Sequence, residues 1–188
     1  MKGIIYNSDN LKDRDIDEKT IRARCLIINS NDEVLLCYSN GLSHYEFPGE
    51  HLEENETLLN GLKREIYEET GIKINNKEIK PFISIKYYCK NYHKTNKNRL
   101  IEIDYFIIKT DKKYNPNKTK LTKVEIEQKY EFIYIKINKL KDILLENKLT
   151  TKENNSSLDD MLLVWDEYLN TKKKGSIKDY GIWSKILL

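Results

Sequence analysis

Residues 49–72 read GEHLEENETLLNGLKREIYEETGI, and the spacing inside this stretch decides how the chain is read. Leu58, Leu62 and Ile66 recur every fourth residue, the period of one face of an α-helix. The pattern predicts a helix over 56–70, with Asn55 as its N-cap and Gly71 as the left-handed residue that ends it. Gly61 would let that helix approach a sheet closely. Each residue of a helix turns about 100°, so Glu65, Glu68 and Glu69, at i, i+3 and i+4, share an arc of about 100°. Like charges on adjacent turns repel. A divalent cation removes the conflict, and Mg²⁺ takes oxygen ligands from a few carboxylates, water and substrate phosphates. Glu69 falls at the edge of the apolar stripe and Glu68 on the more open side, at the boundary between core and cleft. Any one of these glutamates alone reads as a solvated surface charge in a chain that is 34% charged. Their joint spacing reverses that reading.

The segment resembles the Nudix box, G-x5-E-x7-R-E-U-x-E-E-x-G-U with U a bulky aliphatic. Arg64, Glu65, Ile66, Glu68, Glu69, Gly71 and Ile72 match it, and Glu56 stands where the box has its earlier glutamate. Phe47-Pro48-Gly49 resembles the lead-in usually followed by a second glycine. One position departs: the first glycine of the box is Glu50 here. A residue in that place can strain the turn, bring another carboxylate to the metal, or point harmlessly to solvent.

The resemblance implies fold class α/β (α+β), a Nudix-type α/β/α sandwich with a mixed β-sheet and here an additional C-terminal helix. It implies Mg²⁺-dependent hydrolysis (Mn²⁺ substituting) of a diphosphate bond in a nucleoside diphosphate linked to another moiety. Glu68 and Glu69 would be the principal metal ligands, joined by the backbone carbonyl of Gly49. Glu65 would bind a further metal or act as general base, and Arg64 and Glu56 would pair behind the site. Family members often add an acidic residue from a later loop, for which Glu125 and Glu127 are the candidates. If that segment is extended, the two point to opposite faces, and Glu127 is the choice carried forward. Tyr88 falls where some dinucleoside-polyphosphate hydrolases of the family carry a base-stacking tyrosine, although tyrosine is frequent in this chain. Arg22 and Arg24 share a strand face and either grip substrate phosphate or are ion-paired. The rival from another class is a ligand-binding or sensor module of the same fold with weak or no turnover.

A chain of 188 residues suits one domain with a substantial core. Its net charge of +3 is too small to imply nucleic-acid or membrane partners by itself. The expected partner is a nucleotide-derived small molecule, and the expected state a monomer or homodimer. Cys25, Cys37 and Cys89 are odd in number and lack CxxC spacing, which fits reduced, wholly or partly buried thiols. The first residues carry no long apolar run, and the expected location is the cytoplasm.

Along the chain, residues 1–20 read as a polar N-terminal arm, 21–147 as the Nudix unit and 148–188 as a helical extension packed on it. Strands are expected over 22–29, 33–39, 79–89, 100–110 and 131–137, with Leu52 in a short strand. Residues 40–49 and 111–123 read as loops, 91–98 as a hairpin connection and 139–146 as a helix. His44, His51 and His93 read as loop residues. Leu158, Met161, Leu162, Trp165 and Leu169 form an amphipathic stripe, which would pack on its own core or across a homodimer interface.

Overall fold

The computed structural model describes residues 1–152 and 156–173. Its centre is β2 (Glu18–Ile28), whose side chains alternate between two apolar layers. Ala23, Cys25 and Ile27 face one layer, and Leu26 and Ile28 the other. β2 pairs in parallel with β6 (Arg99–Lys109) along its whole length, and β6 pairs antiparallel with β5 (Ile79–Cys89). At its end β2 turns into β3 (Glu33–Ser39), which carries β4 (His44–Glu46) and β7 (Tyr130–Lys136) antiparallel to it. The sheet has seven strands in the order β1-β5-β6-β2-β3-β4, with β7 on β3.

Helix α1 (Leu58–Thr70) covers one face, burying Leu62 and Ile66 against Cys25, Leu35, Phe106 and Ile108. The other face is covered by α3 (Ile137–Thr150) through Leu140 and Leu144, and by α4 (Ser156–Lys173) through Leu158, Met161, Val164, Trp165 and Tyr168. Helix, sheet and helix form the three layers expected of an α/β/α sandwich. Val164 and Tyr168 sit at the centre of the α4 contact, whereas Leu162 and Leu169 are only partly buried, so the buried stripe is rotated from the one read in the sequence. Asn154 and Asn155, which lead into α4, and residues 174–188 lie outside the described residues.

Several expectations are corrected. The first twenty residues are not an arm: β1 (Lys2–Tyr6) pairs in parallel with β5, and β2 already begins at Glu18. β1 escapes a patterning argument because it is a sheet-edge strand, exposed on four of five residues. It is held by backbone pairing, by Ile4 against the core and by Tyr6 stacked on Tyr87 at 4.9 Å. The loop expected over 40–49 contains β4, and His44 there is buried beside Thr151, with its Nδ1 3.2 Å from the hydroxyl. His93 does lie in a short turn with φ +49°. Helix α1 starts two residues later than expected, because Thr57 rather than Asn55 caps it, accepting from the Asn60 N–H at 3.4 Å. Asn55 instead takes a left-handed turn conformation at φ +63°. Residues 123–127, expected as the end of a loop running into an extended segment, form a short helix, α2 (Lys123–Glu127). Cys25 and Cys37 are buried thiols, Cys89 is partly buried, and none is disulfide-bonded.

Beneath α4 the Tyr87 hydroxyl donates to Asp160, which is 4% exposed. Burial pushes the Asp160 carboxyl up to about 6, against the opposing pull of the Tyr87 hydrogen bond and Arg24. The folded chain therefore holds this proton to higher pH than the unfolded chain does. That contribution to stability is complete below the ordinary aspartate value and is lost as pH rises through about 6. Asp160→Asn removes the dependence while keeping an acceptor for Tyr87. Its stability relative to the natural chain should rise between about pH 4 and 6.5, by no more than about 3 kcal/mol. Urea melts across that range check this, and a pH-independent difference would refute it.

Candidate active site

Helix α1 is fixed at both ends of its carboxylate strip. Gly71, at φ +71°, ends the helix with its N–H bonded to Tyr67 O at 2.8 Å. The chain beyond β6 is then stapled back onto it, by Asn115 N–H to Thr70 O and Lys120 N–H to Glu68 O. The segment before α1 is equally determined. Residues 48–52 run antiparallel along β2, with Cys25 N–H to Pro48 O, Ala23 N–H to Glu50 O and Leu52 N–H to Ile21 O at 2.9–3.1 Å. His51, read as a loop residue, bridges to Arg22 in this segment.

This brings the Gly49 turn onto Glu69, whose Oε2 accepts from the Gly49 N–H at 2.8 Å. Gly49 has φ +113°, and a Cβ there would lie 2.1 Å from Ala23 O. Both the conformation and the close approach require glycine. Gly49→Ala should therefore cost at least about 2 kcal/mol of stability, because backbone strain and a backbone clash add. A chemical melt reads the effect, and a variant as stable as the natural chain would show that the turn can move.

Arg64 organises the rest. Its Nε and Nη2 donate to the two oxygens of Glu56 at 3.0 and 2.9 Å, Nη1 donates to Glu65 at 2.6 Å and Glu68 at 3.2 Å, and Nη2 also reaches His51 O at 3.3 Å. All five N–H groups of the guanidinium are engaged. Gly61, expected to bring the helix close to a sheet, instead makes room for the preceding segment. A Cβ there would meet Glu56 Oε2 at 2.9 Å and Leu52 Cγ at 3.1 Å.

Glu69 is 6% exposed. Burial, then the charges of Glu65, Glu125 and Glu50, push its carboxyl well above the usual range against the Gly49 hydrogen bond. Burial also raises Glu65, opposed by Arg64. Among the described residues, no group of three His, Cys, Asp or Glu side chains is gathered as metal ligands would be. Glu65 and Glu68 are turned to Arg64, and Glu69 to the Gly49 N–H. The donor chemistry nevertheless fits a hard divalent cation: three carboxylates on one helical strip, two of them crowded and desolvated enough to resist ionisation.

The remaining candidates separate. On α2, Glu125 accepts from the Thr122 N–H in a capping box, and its charge is felt at Glu69, Cys37 and Tyr130. Glu127 is exposed. A helix turns about 200° over two residues, so the two glutamates do face apart, but Glu125 is the one near the site. Tyr88 lies at the level of Leu100 and Lys19, several residues along the strands from Ala23, and donates to Asp13 at 2.7 Å. The structure does not bring it to the carboxylates.

Arg22 and Arg24 do share a face, and both are ion-paired. Arg24, 3% exposed, donates from Nη2 to Glu46 at 3.2 Å and Glu50 at 3.3 Å, and from Nη1 to Ser157 Oγ at 3.3 Å. Arg22 Nε donates to His51 Nε2 at 3.0 Å and lies 3.4 Å from Glu50. Glu50 therefore does not point freely to solvent, and its φ is outside the left-handed region. The turn's demand for glycine is met entirely by Gly49. Burial alone would raise the Glu50 carboxyl, but His51, Arg24 and Arg22 outweigh it and hold it down at about 2. Sequence reasoning missed this network, of which only the Arg22/Arg24 alternation was visible.

With this geometry in hand, comparison with known proteins settles the family. The NUDIX domain model matches residues 18–150. The chain belongs to the NUDIX family. No curated protein sequence matches it. Among solved structures it is similar to MutT described for the fish pathogen Aliivibrio salmonicida and for Vibrio cholerae, with TM-score 0.50, 17% identity and coverage of 78% of this chain and 94% of that one. It is also similar to the E. coli ORF135 protein, with TM-score 0.54, 13% identity and coverage of 84% and 93%. These likenesses are of fold. Among the described residues no helix of this NUDIX protein is long and apolar enough to cross a membrane.

Proposed function

We propose that the chain hydrolyses a diphosphate bond in a nucleoside diphosphate linked to another moiety: a nucleoside triphosphate, nucleotide sugar, ADP-ribose or dinucleoside polyphosphate. The observation that carries this reading is Glu69, a desolvated carboxylate held by the Gly49 N–H on a strip shared with Glu65 and Glu68. Glu65, Glu68, Glu69 and the Gly49 carbonyl would hold Mg²⁺ or Mn²⁺, which neutralises phosphoryl charge and acidifies water when bound. Phosphoryl transfer asks the protein mainly for position and electrostatics. Arg64 supplies position by fixing Glu56, Glu65 and Glu68 relative to one another. Burial raises the proton affinity of Glu65, which suits it to take the proton of an attacking water. Glu125, rather than Glu127, is the later acidic residue placed to add charge.

Two observations favour a second reading, a binding module with weak turnover: Glu65 and Glu68 are both tied to Arg64, and Glu50 replaces the glycine of the box. A panel of nucleoside triphosphates, dinucleoside polyphosphates, ADP-ribose and nucleotide sugars, assayed with and without Mg²⁺, separates the two. Metal-dependent turnover of any member supports the hydrolase. Binding without turnover across the panel supports the module.

A further inference from the structure

We propose that Arg22, Arg24 and His51 form an anion site for a phosphate group of the substrate, and that Glu50 occupies it as an internal carboxylate which that phosphate displaces. The proposal rests on the hydrolase reading for the identity of its ligand, and on the geometry of Glu50 for the site. Two guanidinium groups and an imidazole converge on one carboxylate: Arg24 Nη2 at 3.3 Å, Arg22 Nε at 3.4 Å and His51 Nδ1 at 2.5 Å. Such a set recognises phosphate as readily as carboxylate.

The fit of Glu50 is incomplete. Arg24 Nε is buried and has no hydrogen-bond partner among the described residues. His51 Nδ1 lies 2.5 Å and Arg22 Nε 3.4 Å from Oε1, but the Arg24 Nε–H has no acceptor. Unmet buried donors and acceptors are costly. A phosphate, with oxygens directed tetrahedrally, offers acceptors that a flat carboxylate on a short tether does not.

Glu50 is held by these ion pairs rather than by its backbone, so a competing anion can displace it. Its backbone is unstrained and its side chain is 36% exposed. Arg24 would not be stranded, because Glu46 and Ser157 still accept from it. Glu46 shares Arg24 Nη2 and tempers the attraction for an anion. The position suits a diphosphate. The neighbouring Gly49 N–H bonds Glu69, and the Glu50 charge is felt at both Glu65 and Glu69. One phosphate would lie at the cationic cluster while the next lies at the carboxylate strip.

The test is calorimetric titration of the full chain with inorganic pyrophosphate, after removal of divalent ions, so that no turnover enters the reading. Glu50→Gln should bind pyrophosphate at least about tenfold tighter than the natural chain. The gain should vanish when Arg22→Gln is added. Equal or weaker affinity in Glu50→Gln, or a gain that survives loss of Arg22, overturns the proposal. Glu50→Ala serves as a second variant. Failure of both to fold, seen in their melting curves, would make Glu50 a structural residue and overturn it too. Failure of the substrate panel would sink the hydrolase reading while leaving this measurement standing.

Discussion

Glu69→Gln should fold normally and lose turnover by at least about a hundredfold. The size follows from the role: residues merely supporting metal ligands cost 10–100-fold on mutation, and a buried ligand should cost no less. Glutamine keeps the shape and keeps an oxygen for the Gly49 N–H, which Glu69 now accepts at 2.8 Å. It removes a charge that burial and three neighbouring carboxylates oppose. The metal-free variant should therefore melt at the same temperature as the natural chain or slightly above it. Steady-state rates at limiting and saturating Mg²⁺, beside melts in chelator, give both readouts. Full activity at limiting Mg²⁺ would remove Glu69 from the metal site. A large loss of stability would show instead that the Gly49 contact, not the charge, is what Glu69 supplies.

The second large effect is expected far from the chemistry. Trp165→Ala should destabilise the chain by about 3–5 kcal/mol, lowering the melting temperature by about 10 °C. Trp165 is 1% exposed and stacks on Tyr168 at 5.1 Å, between α4 and a sheet face lined by Leu26, Ile85, Ile103 and Ile107. Removing the indole leaves a cavity that the strands cannot close, because parallel pairing on both sides of the layer holds them. The same helix supplies Ser157 to Arg24 and Asp160 to Tyr87. Repacking there should also lower activity by a smaller factor. A cost below about 1 kcal/mol would mean that α4 is an appendage rather than a layer of the fold.

The sequence makes α1 legible because its signals are local. Leu58, Leu62 and Ile66, the glutamate spacing and Gly71 all lie within one helix length, and the structure places that helix within two residues of the expected start. The long strands β5 and β6 are equally plain as apolar, β-branched runs. What escapes depends on distant partners. β1 is short and exposed on four of its five residues, and only its pairing with β5 makes it a strand. Arg24 meets Ser157 across 133 residues, a contact that no window of sequence contains. Glu50 looked like an irregularity in a motif, and its partners Arg22 and Arg24 arrive from β2. Choosing between Glu125 and Glu127 required knowing that α2 is a capped helix rather than an extended lead into β7.

The two parallel ladders carry a consequence for how the chain acquires its structure during synthesis. β2 pairs with β6, and β1 with β5, across separations of 81 residues. Strand pairs so far apart must close a long loop before they gain any contact energy, which makes folding slow. A ribosome extending the chain at about 5–20 residues per second would release the apolar strands β2 and β3 several seconds before β6 exists to shield them. The nascent chain thus passes through an interval with Leu26, Ile27, Leu35 and Leu36 uncovered. Recombinant yield should accordingly respond to growth temperature and chaperone supply more steeply than the stability of the finished protein alone would suggest.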